Sequence, residues 1–475
     1  MEIYTEKLTG SFDEDVATMD RLLRVGSSFD LIRRPMQVGK TRLMFYYIDG
    51  FIQGASMQKL MMHLLTLKDF GDGKEDAAQR FARQNVPAVE VDVTDSFDQL
   101  VVMTLSGCCA LLAEGFGASA LIIDLRTYPA REACEPENDR VMRGSRDGFV
   151  ETLIFNTAMI RRRIRNPALT VEYISAGYTS RTDMALIYME GRADKEYAAQ
   201  LSEKLRSLDV DTLILGHQSV AESLIPRSWY NPFPKIRMTE RPDAAAASLA
   251  EGSIILLCDN SPEAMIFPTS VLDFLQETDD FYFPPLTGSY LRLLRLFVFV
   301  ATVVLTPLWY LLLRHPAWIP PALSVIIPQD PGALPILAQL ILVEFALDGL
   351  KLAALNTPNM LSNSLSVVGG LLLGDFAVTV GWLSPDVILY MAFVGIANFT
   401  QSSYVLGYAF KYLRILLLLL TAFFDVWGFA AGCVLSLVLI ASNKTVNGKR
   451  SYLYPLIPFD GRALSRLLLR RGKKS

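Results

Sequence analysis

The pattern of apolar and polar positions changes character near Pro284. Before it, apolar runs are short and bounded by Gly, Asp or Arg. Arg42 to Ile48 (RLMFYYI) is aromatic and β-branched and ends at Asp49-Gly50, which predicts a buried strand closed by a turn. Ser119 to Leu125, Met184 to Met189 and Ser253 to Cys258 read the same way. Ser56 to Leu67, Gly148 to Ile164 and Asp194 to Ser207 space their apolar residues for helices. Strands alternating with helices predict an α/β region over residues 1–285. Its length suits two subdomains, although nothing in the pattern marks their boundary and no internal repeat is visible.

Past Pro284 the runs lengthen into a helical membrane domain over 286–441. Leu293 to Leu313 holds one charge, Arg295, and is long enough to span a hydrocarbon core of about 30 Å. Trp309 and Tyr310 suit an aromatic belt, and Pro307 predicts a kink. Ala333 to Leu355 is apolar apart from Glu344, Asp348 and Lys351, which share one helical face. Asn363 to Leu383 and Pro385 to Phe399 are further apolar segments. Tyr412 to Ala441 carries only Arg414 and Asp425 as charges, and reads as one long tilted helix or as a hairpin turning near Asp425. Gly369, Gly370 and Gly374 suit close helix packing.

Charge sets the expected topology. From Ser442 onward nine Lys/Arg stand against Asp460 alone, although the whole chain is net −4. A basic tail (442–475) after apolar sequence points to a cytoplasmic membrane edge. Few aromatics accompany it, which argues against nucleic-acid binding. The first thirty residues contain no long apolar run, so no cleaved signal peptide is expected and the α/β region should be cytosolic. Arg292 and Arg295 flank the first span on its near side. Both termini inside require an even number of spans. Four follow if 333–355 is re-entrant and 412–441 crosses once; six follow if 333–355 crosses and 412–441 is a hairpin.

The chemistry-bearing residues point away from an enzyme. Val38-Gly39-Lys40-Thr41 matches only the end of a phosphate-binding loop, because Arg34 stands where that motif needs Gly. Three scattered histidines (His63, His217, His315) and five cysteines without C-x-x-C indicate no metal centre, no cofactor and no catalytic triad. Arg161-Arg162-Arg163 and Arg165 suit a helix C-terminus, or a contact with lipid or another subunit. The sharpest feature is polar groups at membrane depth: Glu344, Asp348, Lys351, Asp375, Asn398, Gln401 and Asp425. The plain reading pairs Lys351 with Asp348 and lets Asn398 bond across helices. The functional reading makes Glu344, Asp348, Asp375, Asn398 and Asp425 candidates for an ion path. Acids in excess there would favour cations.

Three ordered motifs then carry a family resemblance. Val141 to Pro167 (VMRGSRDGFVETLIFNTAMIRRRIRNP) matches at Arg143, Gly144, Gly148, Phe149, Glu151, Asn156 and Arg161 to Ile164. Thr239 to Asp243 (TERPD) and Ser451 to Phe459 (SYLYPLIPF) follow. The chain resembles the GerA family of spore germination receptor A subunits from about Phe29 to Arg470. Ser145 and Asp147 stand where the family usually has Pro and Glu. Asn356-Thr357-Pro358 replaces a basic turn of the nutrient receptors, so the chain looks more like the stage V sporulation branch.

The resemblance implies a cytosolic α/β region and a polytopic helical domain in the endospore inner membrane. It also implies a self-oligomer, other spore membrane proteins as partners, and release of monovalent cations during germination. The expectation is therefore a subunit of an ion-conducting germination complex. The alternatives are a nutrient-receptor A subunit and a non-conducting membrane scaffold.

Overall fold

The computed structural model describes residues 4–67, 76–127, 139, 141–142, 144–225, 231–277, 279–356, 369–370, 376–401, 403–443, 445–446 and 452–469. Two compact units are present, 1–227 with 236–268, and 228–235 with 269–475. The helical unit thus begins before the composition change at Pro284.

The first unit holds two five-stranded antiparallel sheets. In the first half, α1 (Phe12–Leu23), β1 (Leu31–Val38), β2 (Thr41–Ile48), α2 (Gly54–Leu65), α3 (Ala77–Asn85), β3 (Val91–Thr94), α4 (Phe97–Leu105), β4 (Cys109–Ala113) and β5 (Ala120–Ile123) follow in order. The strands lie as β1-β2-β4-β5-β3. Met44, Tyr46 and Ile48 face α1 and α4, whereas Leu43 and Phe45 face α2 and α3. Burial on both faces explains why β2 is a continuous apolar run with no alternation. Val38-Gly39-Lys40-Thr41 is the hairpin between β1 and β2, with Gly39 at φ 57°.

The second half repeats the first. Its order is α5 (Leu153–Arg163), β6 (Leu169–Ala176), β7 (Thr182–Met189), α6 (Lys195–Arg206), α7 (His217–Leu224), β8 (Arg237–Thr239), α8 (Pro242–Ala250), β9 (Ile254–Cys258) and β10 (Ala264–Phe267). The strands lie as β6-β7-β9-β10-β8, the same arrangement shifted by five. Two subdomains are therefore real, and they duplicate one topology that no sequence repeat betrays. Each position need only supply an apolar side chain of suitable size, so the halves share a burial pattern and not residues.

Arg161 of α5 fastens the two halves. It is 1% exposed, and its Nε and Nη2 donate to the two carboxylate oxygens of Asp30, at 2.9 and 3.0 Å. Nη2 also reaches Ser28 Oγ and the Leu169 carbonyl, and Nη1 the Asn166 carbonyl. Beside it Phe29 N donates to Val171 O of β6. The basic cluster at the end of α5 is thus a buried clasp at Arg161, which satisfies its donors as a buried guanidinium requires.

The second unit is helical: α9 (Asp279–Tyr282), α10 (Pro285–Arg314), α11 (Ile336–Asn356), α12 (Pro385–Phe399), α13 (Tyr404–Ala441) and α14 (Gly461–Leu468). Among the described residues, α10 and α13 are the helices long and apolar enough to cross a membrane. The helix α10 continues through Pro307.

The choice between one long helix and a hairpin is decided at Asp425, whose φ 54° and ψ −132° break α13. This is close to the first central position of a type II′ turn, ordinarily a glycine's place. The limbs, 404–424 and 426–441, fold back on each other, because Leu439 and Ile440 join the same cluster as Leu406 and Phe410. In a straight helix those ends would lie about 50 Å apart. Gly428, Gly432 and Ser436 are buried at a spacing of four. A Cβ on Gly428 would strike the Leu420 carbonyl, and one on Gly432 the Leu417 side chain. This small-residue stripe went unread in the sequence. Gly428→Ala should cost about 1–3 kcal/mol by overpacking. An unchanged thermal midpoint in detergent would refute the close approach.

Gly369 does pack closely, since a Cβ there would meet Leu350 of α11, while Gly374 and most of 363–383 lie outside the described residues.

Candidate functional site

The helical spacing of Glu344, Asp348 and Lys351 points all three from one side of α11. Lys411 and Arg414 project from the first limb of α13. Arg414 Nη2 bonds Glu344 Oε1, its Nε lies 3.3 Å from Glu344 Oε2, and its Nη1 donates to the Thr302 carbonyl of α10 at 3.0 Å. Lys411 Nζ bonds Asp348 Oδ2 and lies 3.7 Å from Glu344 Oε1. The pairing order descends on α13 as it rises on α11, so the two helices run antiparallel here. Glu344, Lys411 and Arg414 are buried, and Asp348 is partly exposed.

Glu344 and Asp348 thus stand against bases of α13. Asp348 pairs with Lys411 of α13, a partner the sequence reading did not name. Lys351 Nζ lies 5.8 Å from the Tyr408 ring centre. Five charges meet at this level, two acidic and three basic, so the excess of acids disappears once α13 is packed against α11. Isolated buried charges would be costly, and mutual pairing offsets much of that cost.

One helical turn before Lys411 the polar line continues. Gly407, Lys411 and Arg414 share a face of α13. A Cβ on Gly407 would lie 3.0 Å from Asn398 Oδ1 and 3.1 Å from Gln401 Oε1. Among the described residues, Asn398 Oδ1 and both polar atoms of Gln401 are buried with no hydrogen-bond partner. A buried amide without a partner is unusual and calls for a functional explanation.

Asp425 lies elsewhere, about 16 Å along the limb from Arg414. His315 Nε2 sits 2.9 and 3.0 Å from its carboxylate oxygens. Arg314 Nη1 donates to the carbonyls of Thr421 and Ala422, and Trp318 stacks on His315. Asp425 therefore ties the hairpin tip to the end of α10. Asp375 lies outside the described residues. Of the five candidates, Glu344 and Asp348 form one cluster, Asn398 extends it, and Asp425 stands apart.

Sequence reasoning set no base of α13 beside the acids and so missed their partners. It read Arg292 and Arg295 as charges flanking the first span. Asp280 is fully buried and accepts from both, and Arg295 also pairs with Glu277.

The three motifs are structural. Asn156 bonds both backbone groups of Val150, and Arg163 pairs with Asp147. Arg241, fully buried, pairs with Asp243 and donates to the Ser145 carbonyl, while Phe149 N donates to Glu240 O. The first two motifs thus hold each other. The third places Tyr452 on the Pro234 carbonyl and against Phe233. Arg143 lies outside the described residues.

Burial pushes the thiols of Cys108 and Cys258 up to about 11 and about 12, which makes them poor nucleophiles at neutral pH. Among the described residues no three His, Cys, Asp or Glu side chains converge as metal ligands.

Comparison with known proteins follows the motifs. The family model described as Bacillus/Clostridium GerA spore germination protein matches residues 19–474. Stage V sporulation protein AF of Bacillus subtilis is 34% identical over 449 residues, covering 94% of this chain and 90% of that protein. Spore germination protein KA of the same organism is 28% identical, covering 94% and 82%. A crystal structure of the N-terminal domain of the A subunit of the Bacillus megaterium spore germinant receptor GerK3 covers 56% of this chain and 97% of that one, at 23% identity and a TM-score of 0.41.

Proposed function

The chain belongs to the GerA family of spore germination proteins, and from that premise we propose that it is a subunit of an oligomeric membrane complex that conducts monovalent cations during germination. Its seat is the endospore inner membrane, with both termini on the cytoplasmic side and other spore membrane proteins as neighbours. The hairpin at Asp425 supports the six-span arrangement over the four-span one.

The observation that carries the reading is the polar line at membrane depth. Among the described residues, Asn398 Oδ1 and the Gln401 amide stand without partners beside Gly407, and Lys411 and Arg414, paired with Asp348 and Glu344 of α11, follow on the same face of α13. Amide oxygens can replace part of an ion's hydration shell, which suits a path. The ion pairs have a different task. They join α11 to α13 and hold the closed arrangement, so Glu344 and Asp348 act as a lock.

Cation flux from liposomes holding the purified protein tests this. The parent should release potassium, and a variant carrying Asn398→Leu with Gln401→Leu should fall to the protein-free rate while assembling normally. Unchanged flux in that variant would remove the amides from the path. An assembled parent that passes no ions would favour a scaffold.

A further inference from the structure

We propose that the C-terminal segment 452–469 is an interfacial anchor that inserts Leu456, Ile457 and Phe459 among anionic phospholipids at the rim of the membrane domain. The segment is built for display. Tyr452 is buried against Phe233, and Val271 N donates to its carbonyl. The following loop is closed on itself: Leu456 N and Ile457 N donate to Leu453 O, and Asp460 N to Pro455 O. Tyr454 OH donates to Asp460, whose carboxylate also caps α14 at Arg462 N and Ala463 N. At the far end Arg292 of α10 donates to the Leu467 carbonyl, and Leu467 and Leu468 pack into the helical core.

A loop fixed this firmly nonetheless turns three apolar side chains outward. Phe459 is 75% exposed, and Leu456 and Ile457 are about half exposed. Contiguous exposed apolar residues mark an interaction surface. Two observations identify the occupant as lipid. The first is continuity: α10 exposes Leu286, Tyr290, Leu293 and Phe297, which fall on one helical face. That face runs past the level of Arg292, which holds the Leu467 carbonyl at the end of α14, so the apolar phase around α10 reaches the level at which the anchor is attached. From Arg292 to Arg314 the helix rises about 33 Å, close to a hydrocarbon thickness, which puts the attachment of α14 at the headgroup boundary. The second is charge. Arg462 is exposed beside the wedge, and the sequence adds Arg466, Arg470, Arg471, Lys473 and Lys474 with Asp460 as the one acid. Apolar wedge plus clustered bases is the chemistry that binds an anionic leaflet.

The test places a photoreactive benzophenone amino acid at Phe459 in the full chain, reconstituted in bilayers of phosphatidylglycerol and phosphatidylcholine. Illumination should yield lipid adducts on the peptide containing position 459, enriched in phosphatidylglycerol beyond its mole fraction. Arg462→Gln should reduce that preference about fivefold, the factor one surface arginine supplies. A cross-linked dimer would assign the wedge to a second copy and overturn the proposal. So would the absence of any lipid adduct, or an adduct blind to headgroup charge. The same probe at Phe297 separates the levels of failure. Lipid adducts at 297 without any at 459 refute the anchor alone, whereas none at 297 refutes the membrane placement of α10 and the anchor with it.

Discussion

Arg161→Met should destabilise the first unit by about 3–5 kcal/mol, because it leaves the Asp30 carboxylate buried without its counter-charge. Both side chains are 2% exposed, so neither charge can turn to water without opening the joint between the two sheets. The substitution also removes one donor each from the Ser28 hydroxyl and the carbonyls of Asn166 and Leu169, of which Ser28 keeps Val171 N and Asn166 keeps Leu169 N. For a unit of this size such a loss lowers the thermal midpoint by roughly 10 °C. Unfolding of the full chain, followed by hydrogen exchange at β1 and β6, reads the effect. Adding Asp30→Leu to Arg161→Met should recover much of it, since an apolar pair of similar volume is tolerated where a lone charge is not. If the double variant is as unstable as the single, the cost lies in packing and not in the unpaired acid.

Glu344→Gln should have an effect of similar size in the helical unit. It leaves the buried Arg414 with the Thr302 carbonyl and an amide oxygen, and leaves Lys411 with Asp348 alone. The expected cost is again about 3–5 kcal/mol, seen as an earlier thermal transition in detergent. The lock reading adds a second expectation that a purely structural pair would not meet. Liposomes holding the variant should release cations faster than liposomes holding the parent. Glu344→Leu combined with Arg414→Leu should restore stability, because the charge removed from α11 is matched by the one removed from α13. A variant that loses stability yet conducts no faster than the parent would reduce the pair to a fastening between helices.

Several elements were legible before any packing was known. The runs at 42–48, 119–125, 184–189 and 253–258 became β2, β5, β7 and β9, all central enough to be apolar on both faces. Strands such as β1 (LIRRPMQV) and β8 (RMT) were not read, since an edge strand is polar on its open side and offers no run to find. The helix over Asp194 to Ser207 was legible at its boundary too: Asp194 accepts from Glu196 N and Tyr197 N, an N-cap written in the sequence. At the candidate site the sequence marked Glu344, Asp348 and Asn398 as out of place in apolar surroundings, which is a local property. It could not mark Arg414 as the partner of Glu344 across 70 residues.

What the sequence by itself determined is the division into an α/β part and an apolar helical part, the kind of element in most segments, and the family. These rest on periodicity, composition and short motifs, each complete within a few tens of residues. Tertiary structure alone decided that the α/β part is one topology used twice, that Arg161 is a clasp, that α13 turns back at Asp425, and that Glu344 and Asp348 are held by bases. The physical reason is common to all four. A buried charge or a close glycine is stabilised by whatever the fold brings against it, and a residue's own neighbours in the chain do not specify that partner.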